Sequence, residues 1–361
     1  MLKKISLGVL LSLSIAFGES KQEIEKLLGN MFIVGFRGVD VNQNTQIVHD
    51  IQRYNLAGVI LFDRDPANRK KAKNISSPAQ LAKLTAQLQK YSNNKLLIAI
   101  DQEGGKVQRL SPKNGFSRYY LTAKDVASKN AGSQYKSMAK ELSSVGVNFN
   151  LAPVVDLALN PKNRVIVGLK RSYGSNPSAV VKHTKEFIKY MNRYGVMTSI
   201  KHFPGHGSSL GDTHKGFVDV TNNWQNKELE PYQDLIDSGM VDTVMVAHVM
   251  NKKIDSKYPA SLSYQTINGL LRGQLGYNGV VISDDLQMHA ISKHYSLKNT
   301  IKLAINSGMD ILLFCNQLDP KRVVSTQKLI DTAYTLYQNG EISLAQIKRA
   351  NERINTLRNK I

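Results

Sequence analysis

Beyond residue 22 the chain alternates short apolar runs with longer stretches in which apolar residues recur at helical spacing. The runs are Met31–Gly35, Gly58–Phe62, Leu96–Ile100, Val147–Leu151, Val196–Ile200, Thr243–Ala247, Gly279–Ile282 and Ile311–Phe314. Short, almost uninterrupted apolar runs are what strands covered on both faces look like, so these eight are predicted strands. Helical spacing predicts helices over Pro78–Tyr91, Lys124–Val145, Ser178–Tyr194, Leu229–Ser238 and Tyr264–Leu275, and over Lys321–Asn339 and Ser343–Lys360 after the last strand. Strands that alternate with helices pair in parallel, because a parallel connection needs a crossover. Eight such units predict a closed (β/α)8 TIM barrel, one α/β domain over residues 22–361 with C-terminal helices. No Ser/Gly linker, composition shift or 20–50-residue repeat divides it.

In such a barrel the chemistry gathers where the strands end at their C-termini. The third strand runs into Asp101-Gln102-Glu103-Gly104-Gly105 and the fifth into Lys201-His202-Phe203-Pro204-Gly205-His206-Gly207. The sixth runs into Ala247-His248, the seventh into Ser283-Asp284-Asp285 and the eighth into Cys315-Asn316. Four of the 8 histidines (His202, His206, His214, His248) fall on these rims. Taken singly, an Asp or Asn there caps the next helix and a His is a hydrogen-bonded structural group. Gathered on one face, they exceed what capping requires.

Composition narrows the compartment and the partner. Of 361 residues, 42% are hydrophobic, enough for a packed core, and the single Cys (Cys315) excludes a disulfide framework and any multi-cysteine metal site. Lys3 and Lys4 precede an uncharged, mostly apolar run from Ile5 to Phe17, followed by Ala16-Phe17-Gly18, which reads as a secretory signal over residues 1–18. The run is too short for a membrane span, so no stable span is expected once the signal is removed. The mature chain is expected outside the cytoplasm, in the periplasm. With 48 Lys+Arg against 28 Asp+Glu, the net charge is +20, which points to an acidic partner. Nucleic acid would rest on charge alone, with one Trp and no stacking motif, and is not expected.

The rim residues suit one reaction class in particular. A carboxylate such as Asp284 at the end of a buried strand can attack an electrophilic carbon. A histidine two residues from an acid, His214 after Asp212, can be oriented by it and can donate a proton and later take one back. Arg109, Lys201 and His202 offer donors for polyol hydroxyls. Together these describe double-displacement glycoside hydrolysis. A metal-dependent hydrolase is the competing reading of the same residues. Against it, no H-x-H ends the first strand and no H-E-x-x-H lies on a helix.

The stretches Asp101-Gln102-Glu103-Gly104-Gly105-Lys106-Val107-Gln108-Arg109, Lys201-His202-Phe203-Pro204-Gly205-His206-Gly207 and Ser283-Asp284-Asp285-Leu286 resemble glycoside hydrolase family 3, and within it the bacterial β-N-acetylglucosaminidase branch. Arg171-Ser172-Tyr173-Gly174, Ala247-His248-Val249 and Pro259-Ala260-Ser261-Leu262-Ser263 support the likeness, which covers roughly residues 25–320. The β-sandwich of many family 3 enzymes has no room here. The resemblance implies that Asp284 is the nucleophile, that Asp212 and His214 form the acid/base dyad, and that Asp101, Arg109, Arg171, Lys201 and His202 hold the terminal sugar. It implies neither metal nor cofactor. On residue types alone the acid would have been Glu103, since paired carboxylates are usual, so the rule that relates carboxyl separation to stereochemistry does not transfer. Asp285 is expected to cap or support the following helix, and His206 and His248 to be structural.

Three departures and a location accompany the likeness. The dyad carries Thr213 where Ser is commoner, Phe217 replaces an expected proline, and His289 follows Met288 where an acid is common. The branch is often cytoplasmic, whereas this chain carries an export signal. The expected activity is a retaining exo-β-N-acetylglucosaminidase that releases terminal GlcNAc, with GlcNAc-containing muropeptides or wall glycan as partners; the basic stretch Arg64–Lys73 reads first as a solvated loop face and second as a contact for such polymers. The alternatives are another family 3 specificity (β-glucosidase, β-xylosidase or a phosphorylase) and a non-catalytic wall-binding protein.

Overall fold

The computed structural model describes residues 19–68 and 70–361. The secretory signal expected over residues 1–18 lies outside the described residues. Eight parallel strands form one sheet: β1 (Phe32–Gly35), β2 (Gly58–Ile60), β3 (Leu97–Ile100), β4 (Phe149–Asn150), β5 (Met197–Phe203), β6 (Thr243–Val246), β7 (Val280–Ser283) and β8 (Leu312–Phe314). From β1 to β7 each pairs with the next in sequence, and β8 pairs with β1. The remaining gap, between β7 and β8, is bridged by the parallel pair Ile282–Ile311. The barrel is therefore closed, as the eight apolar runs predict, and every run overlaps a strand.

Both faces of these strands are covered, which is why they read as continuous apolar runs. Along β1, Ile33 points into the barrel among Ile60, Ala99, Met245 and Leu313, whereas Phe32 and Val34 pack outward against the helices. The two cores follow from the two-residue period of a strand. At the N-terminal end of the barrel the last helix, Leu344–Arg358, closes the interior with Ile354 and Leu357. Its Arg358 donates to the Leu56 and Ala57 carbonyls at 3.0 and 3.1 Å. The opposite end stays open, with the longer βα loops around it.

Most helices lie where periodicity predicts them; Pro78–Tyr91 matches to the residue, with Ser77 as its cap and Pro78 opening its first turn. The helix predicted over 124–145 is two, Ala123–Lys129 and Gln134–Ser144, because Asn130 adopts a left-handed φ of 48° that ends the first. Tyr264–Leu275 forms an element of about the predicted extent, Gln265–Gln274, but wound as a π-helix. Among the described residues no helix is long and apolar enough to cross a membrane.

Candidate active site

The floor of the open end is built from the ends of β3 and β5. Lys201, on β5 and almost fully buried, places its Nζ 3.0 Å from Asp101 Oδ1 and 2.7 Å from Glu103 Oε1. Arg171, from the loop after β4, grips Glu103 with Nε and Nη2, each at 2.8 Å. Arg109 reaches the other oxygen of Asp101 at 3.3 Å. Three cations and two carboxylates thus pair with one another in one network, which is how buried charges are tolerated. Burial alone would raise the Glu103 carboxyl, but Arg171 and Lys201 overcome it and hold it well below the usual carboxylate range. A carboxyl so held is a poor proton donor. Glu103, the acid that residue types alone would nominate, is an anchor for Arg171 and Lys201.

His202, next to Lys201, is oriented by a residue that sequence reasoning missed. Its Nδ1 lies 2.6 Å from Asp156 Oδ2, while Asp156 Oδ1 accepts the backbone N–H groups of His202 and His206 at 3.2 and 2.8 Å. His202 Nε2 faces Arg171 Nη2 at 3.3 Å. Asp156 is buried, and although burial works against its charge, His202 and His206 keep its carboxyl below the ordinary value. It lies just beyond β4, whose rim carries no motif; the rule that flags carboxylates past a strand end, applied to this strand as to the third and seventh, would have reached it.

The nucleophile candidate, Asp284, follows β7. Its backbone N–H donates to Val246 O at 3.0 Å, and its Oδ1 accepts the N–H of Asp285 at 2.8 Å. Burial alone would raise its pKa, but the fields of His248, His202 and His214 bring it down to about 2. Asp284 is therefore ionised across the physiological range. Asp285 turns away and accepts the N–H groups of Gln287 and Cys315, each at 3.1 Å, tying the segment after β7 to the end of β8. That is the supporting role expected of it. Burial pushes its pKa up to about 6.

His248 is buried between the Ser261 hydroxyl at 2.7 Å and the Asp285 carbonyl at 2.9 Å, so both ring nitrogens are engaged in structure. His206 places Nδ1 2.6 Å from Ser209 Oγ; burial lowers its pKa to about 4.

The dyad sits on the loop between β5 and β6. Asp212 Oδ1 accepts both the backbone N–H of His214 at 3.0 Å and its ring at Nδ1, 2.9 Å away. The tip of this loop rests on the segment beyond Asp284, where Ala290 N–H donates to the Thr213 carbonyl at 3.2 Å. Phe217 is half exposed, with its ring 6.0 Å from that of His294. A cavity of about 710 Å³ opens between these loops. It brings together all eight residues singled out from the sequence: Asp101, Arg109, Arg171, Lys201, His202, Asp212, His214 and Asp284. His289 is not among its lining residues.

One expectation needs correction. Lys73, counted with the basic stretch Arg64–Lys73 as a polymer contact, is buried and donates to the Cys315 and Asn316 carbonyls and to Gln317 Oε1 at 3.0, 2.8 and 2.9 Å. It anchors the wall instead of facing solvent. Asp63, Arg64 and Asp65 line the cavity itself. Among the described residues no group of three or more His, Cys, Asp or Glu side chains is arranged to hold a metal ion.

The glycosyl hydrolase family 3 N-terminal domain matches residues 23–357. The chain belongs to this family. A beta-hexosaminidase of Hydrogenovibrio crunogenus is 34% identical over 343 residues, which span 90% of this chain and 89% of the relative. A family 3 beta-N-acetylglucosaminidase from Paenibacillus sp. superposes with a TM-score of 0.82 at 33% identity, covering 93% of this chain and 62% of that one. A beta-N-acetylhexosaminidase from Beutenbergia cavernae superposes with a TM-score of 0.81 at 28% identity, covering 93% and 98%. The chain is a glycoside hydrolase on a single (β/α)8 barrel.

Proposed function

We propose that this family 3 enzyme is a retaining exo-β-N-acetylglucosaminidase that removes terminal non-reducing GlcNAc from peptidoglycan fragments. A carboxylate oxygen of Asp284 attacks the anomeric carbon as the glycosidic C–O bond breaks, and His214 gives a proton to the departing oxygen. Water then attacks the same carbon, His214 takes its proton, and the carboxylate of Asp284 leaves. Two inversions restore the β configuration. Asp212 holds the imidazole through Nδ1 and leaves Nε2 for the glycosidic oxygen. Asp101, Arg109, Arg171, Lys201 and His202 bind the hydroxyls and the acetamido group of the sugar.

The observation that carries this reading is an ionised carboxylate and an acid-paired imidazole lining one cavity. Asp284 is kept ionised by its surroundings, and the ring of His214 is bonded to Asp212, so the group facing the nucleophile is an imidazole rather than a second carboxylic acid. The names of the relatives, beta-hexosaminidase and beta-N-acetylglucosaminidase, support the sugar. The strongly basic chain suits anionic muropeptides, and the reading of residues 1–18 as a secretory signal favours a periplasmic location.

The test is hydrolysis of 4-nitrophenyl β-N-acetylglucosaminide by residues 19–361, beside the β-glucoside and β-xyloside, with chelator and with phosphate. Chelator-resistant release from the acetamido sugar, lost in Asp284→Ala, is expected. Preference for another glycoside would keep the fold and overturn the specificity. Release of a sugar phosphate would mean phosphorolysis, and no release from any sugar would favour a binding protein.

A further inference from the structure

We propose that Glu228 is a positioning residue for the proton donor, clamping from outside the cavity the stem of the loop that carries Asp212 and His214. The proposal rests on the reading of His214 as acid/base. Glu228 is buried and comes from the short helical turn Asn226–Leu229, after the catalytic loop has returned to the body of the protein. One of its carboxylate oxygens, Oε2, accepts the backbone N–H groups of Gly207 and Ser208 at 3.1 and 3.4 Å. The other, Oε1, accepts the Ser208 hydroxyl at 2.6 Å.

The carbonyl side of the same stem is held equally firmly. Asn163 Nδ2 donates to the carbonyls of His206 and Gly207 at 2.8 and 3.2 Å, and Asn160 Nδ2 to those of Ser208 and Ser209 at 3.1 and 3.2 Å. The backbone is pressed so close that a Cβ on Gly207 would stand 1.7 Å from Leu157 O, and one on Gly205 2.7 Å from Glu228 Cβ. Beyond this stem Leu210 and Phe217 are 60% and 52% exposed, and the tip meets the nucleophile's side through the Ala290–Thr213 hydrogen bond and the Phe217–His294 ring contact described above. The loop is next fixed where Val218 and Asp219 pair with Val249 and Met250. Asp212 is only four residues from Ser208, so the place of His214 over the cavity depends on where the stem is fixed. A proton donor displaced by a fraction of a bond length loses rate steeply, which gives a remote clamp its leverage.

The signature is dependence on the leaving group, because only a poor leaving group needs the proton. The test compares kcat/KM for methyl β-N-acetylglucosaminide with that for the 2,4-dinitrophenyl glycoside in Glu228→Gln, Ser208→Ala and His214→Ala. In Glu228→Gln the methyl glycoside is expected to slow about 10–100-fold and the dinitrophenyl glycoside less than about threefold, with Ser208→Ala smaller in the same direction. If His214→Ala slows both substrates alike, the acid/base reading fails and the proposal with it. If His214→Ala separates the substrates but Glu228→Gln slows both equally, or neither, the reading stands and the positioning role is overturned. Should Glu228→Gln fail to fold, the ratio in Ser208→Ala decides between the same outcomes.

Discussion

Asp212 holds His214 at two points with one oxygen: the backbone N–H at 3.0 Å and the ring Nδ1 at 2.9 Å. The double contact sets both the turn of the backbone and the rotation of the imidazole. It directs Nε2 away from the pair, which is the arrangement a proton donor requires. Asp212→Asn keeps the shape but removes the charge and places an N–H₂ group where an acceptor is needed. The kcat/KM of Asp212→Asn for an unactivated glycoside is expected to fall about 10–100-fold. Steady-state kinetics on methyl and 2,4-dinitrophenyl glycosides check this, since kcat/KM for the second substrate, which reports the glycosylation step alone, should lose little.

Glu103 carries a different expectation because it anchors rather than reacts. Glu103→Gln removes the negative charge between Lys201, which is buried, and Arg171, which is largely so, and leaves their charges short of a partner. Breaking such a pair from one side costs about 3–5 kcal/mol. Chemical denaturation should show a loss of that order, together with a raised KM as Arg171 and Lys201 lose their aim.

The same residue gives a pH dependence with a definite sign. The folded carboxyl lies below its unfolded value, so its contribution to stability is complete above an unfolded pKa of about 4.3 and is lost as the pH falls from there. Stability measured by denaturant at pH 7 and pH 4 should fall in the parent enzyme, and fall less in Glu103→Gln. An equal fall in both would separate Glu103 from the acid limb.

At the other end of the barrel, Arg358→Ala removes two charge-assisted hydrogen bonds to the Leu56 and Ala57 carbonyls. Thermal unfolding should show a loss of about 2–3 kcal/mol, while kcat and KM of the folded fraction stay unchanged, because Arg358 lies at the far end of the barrel and this helix contributes no residue to the cavity lining.

How far the chain could be read before folding follows from the physics of each element. Barrel strands such as β1 and β7 are buried on both faces, so their apolar runs stand out without an alignment. The break between Ala123–Lys129 and Gln134–Ser144 was hidden because Asn130 and Gly132 sit inside an otherwise helical spacing. Asp284 and the Asp212–His214 pair were legible as groups close together or at a strand end. Glu228 and Asn163 were not, because each acts through a partner 20 or more residues away; Asp156 lies within reach of the strand-end rule, but its partner His202, at a separation of 46, leaves no local sign of its role. Lys73 misled for the converse reason: its neighbours Lys70 and Lys71 are exposed, and only the fold turns its Nζ onto the carbonyls after β8.

The most direct test is the anomeric configuration of the first sugar released, followed by proton NMR within the first minutes of hydrolysis of 4-nitrophenyl β-N-acetylglucosaminide. A β-anomer that appears first and then mutarotates, with no release by Asp284→Ala, is the expected result of attack by Asp284 and return by water. An α-anomer appearing first would mean a single inversion, and would contradict a covalent glycosyl-aspartate.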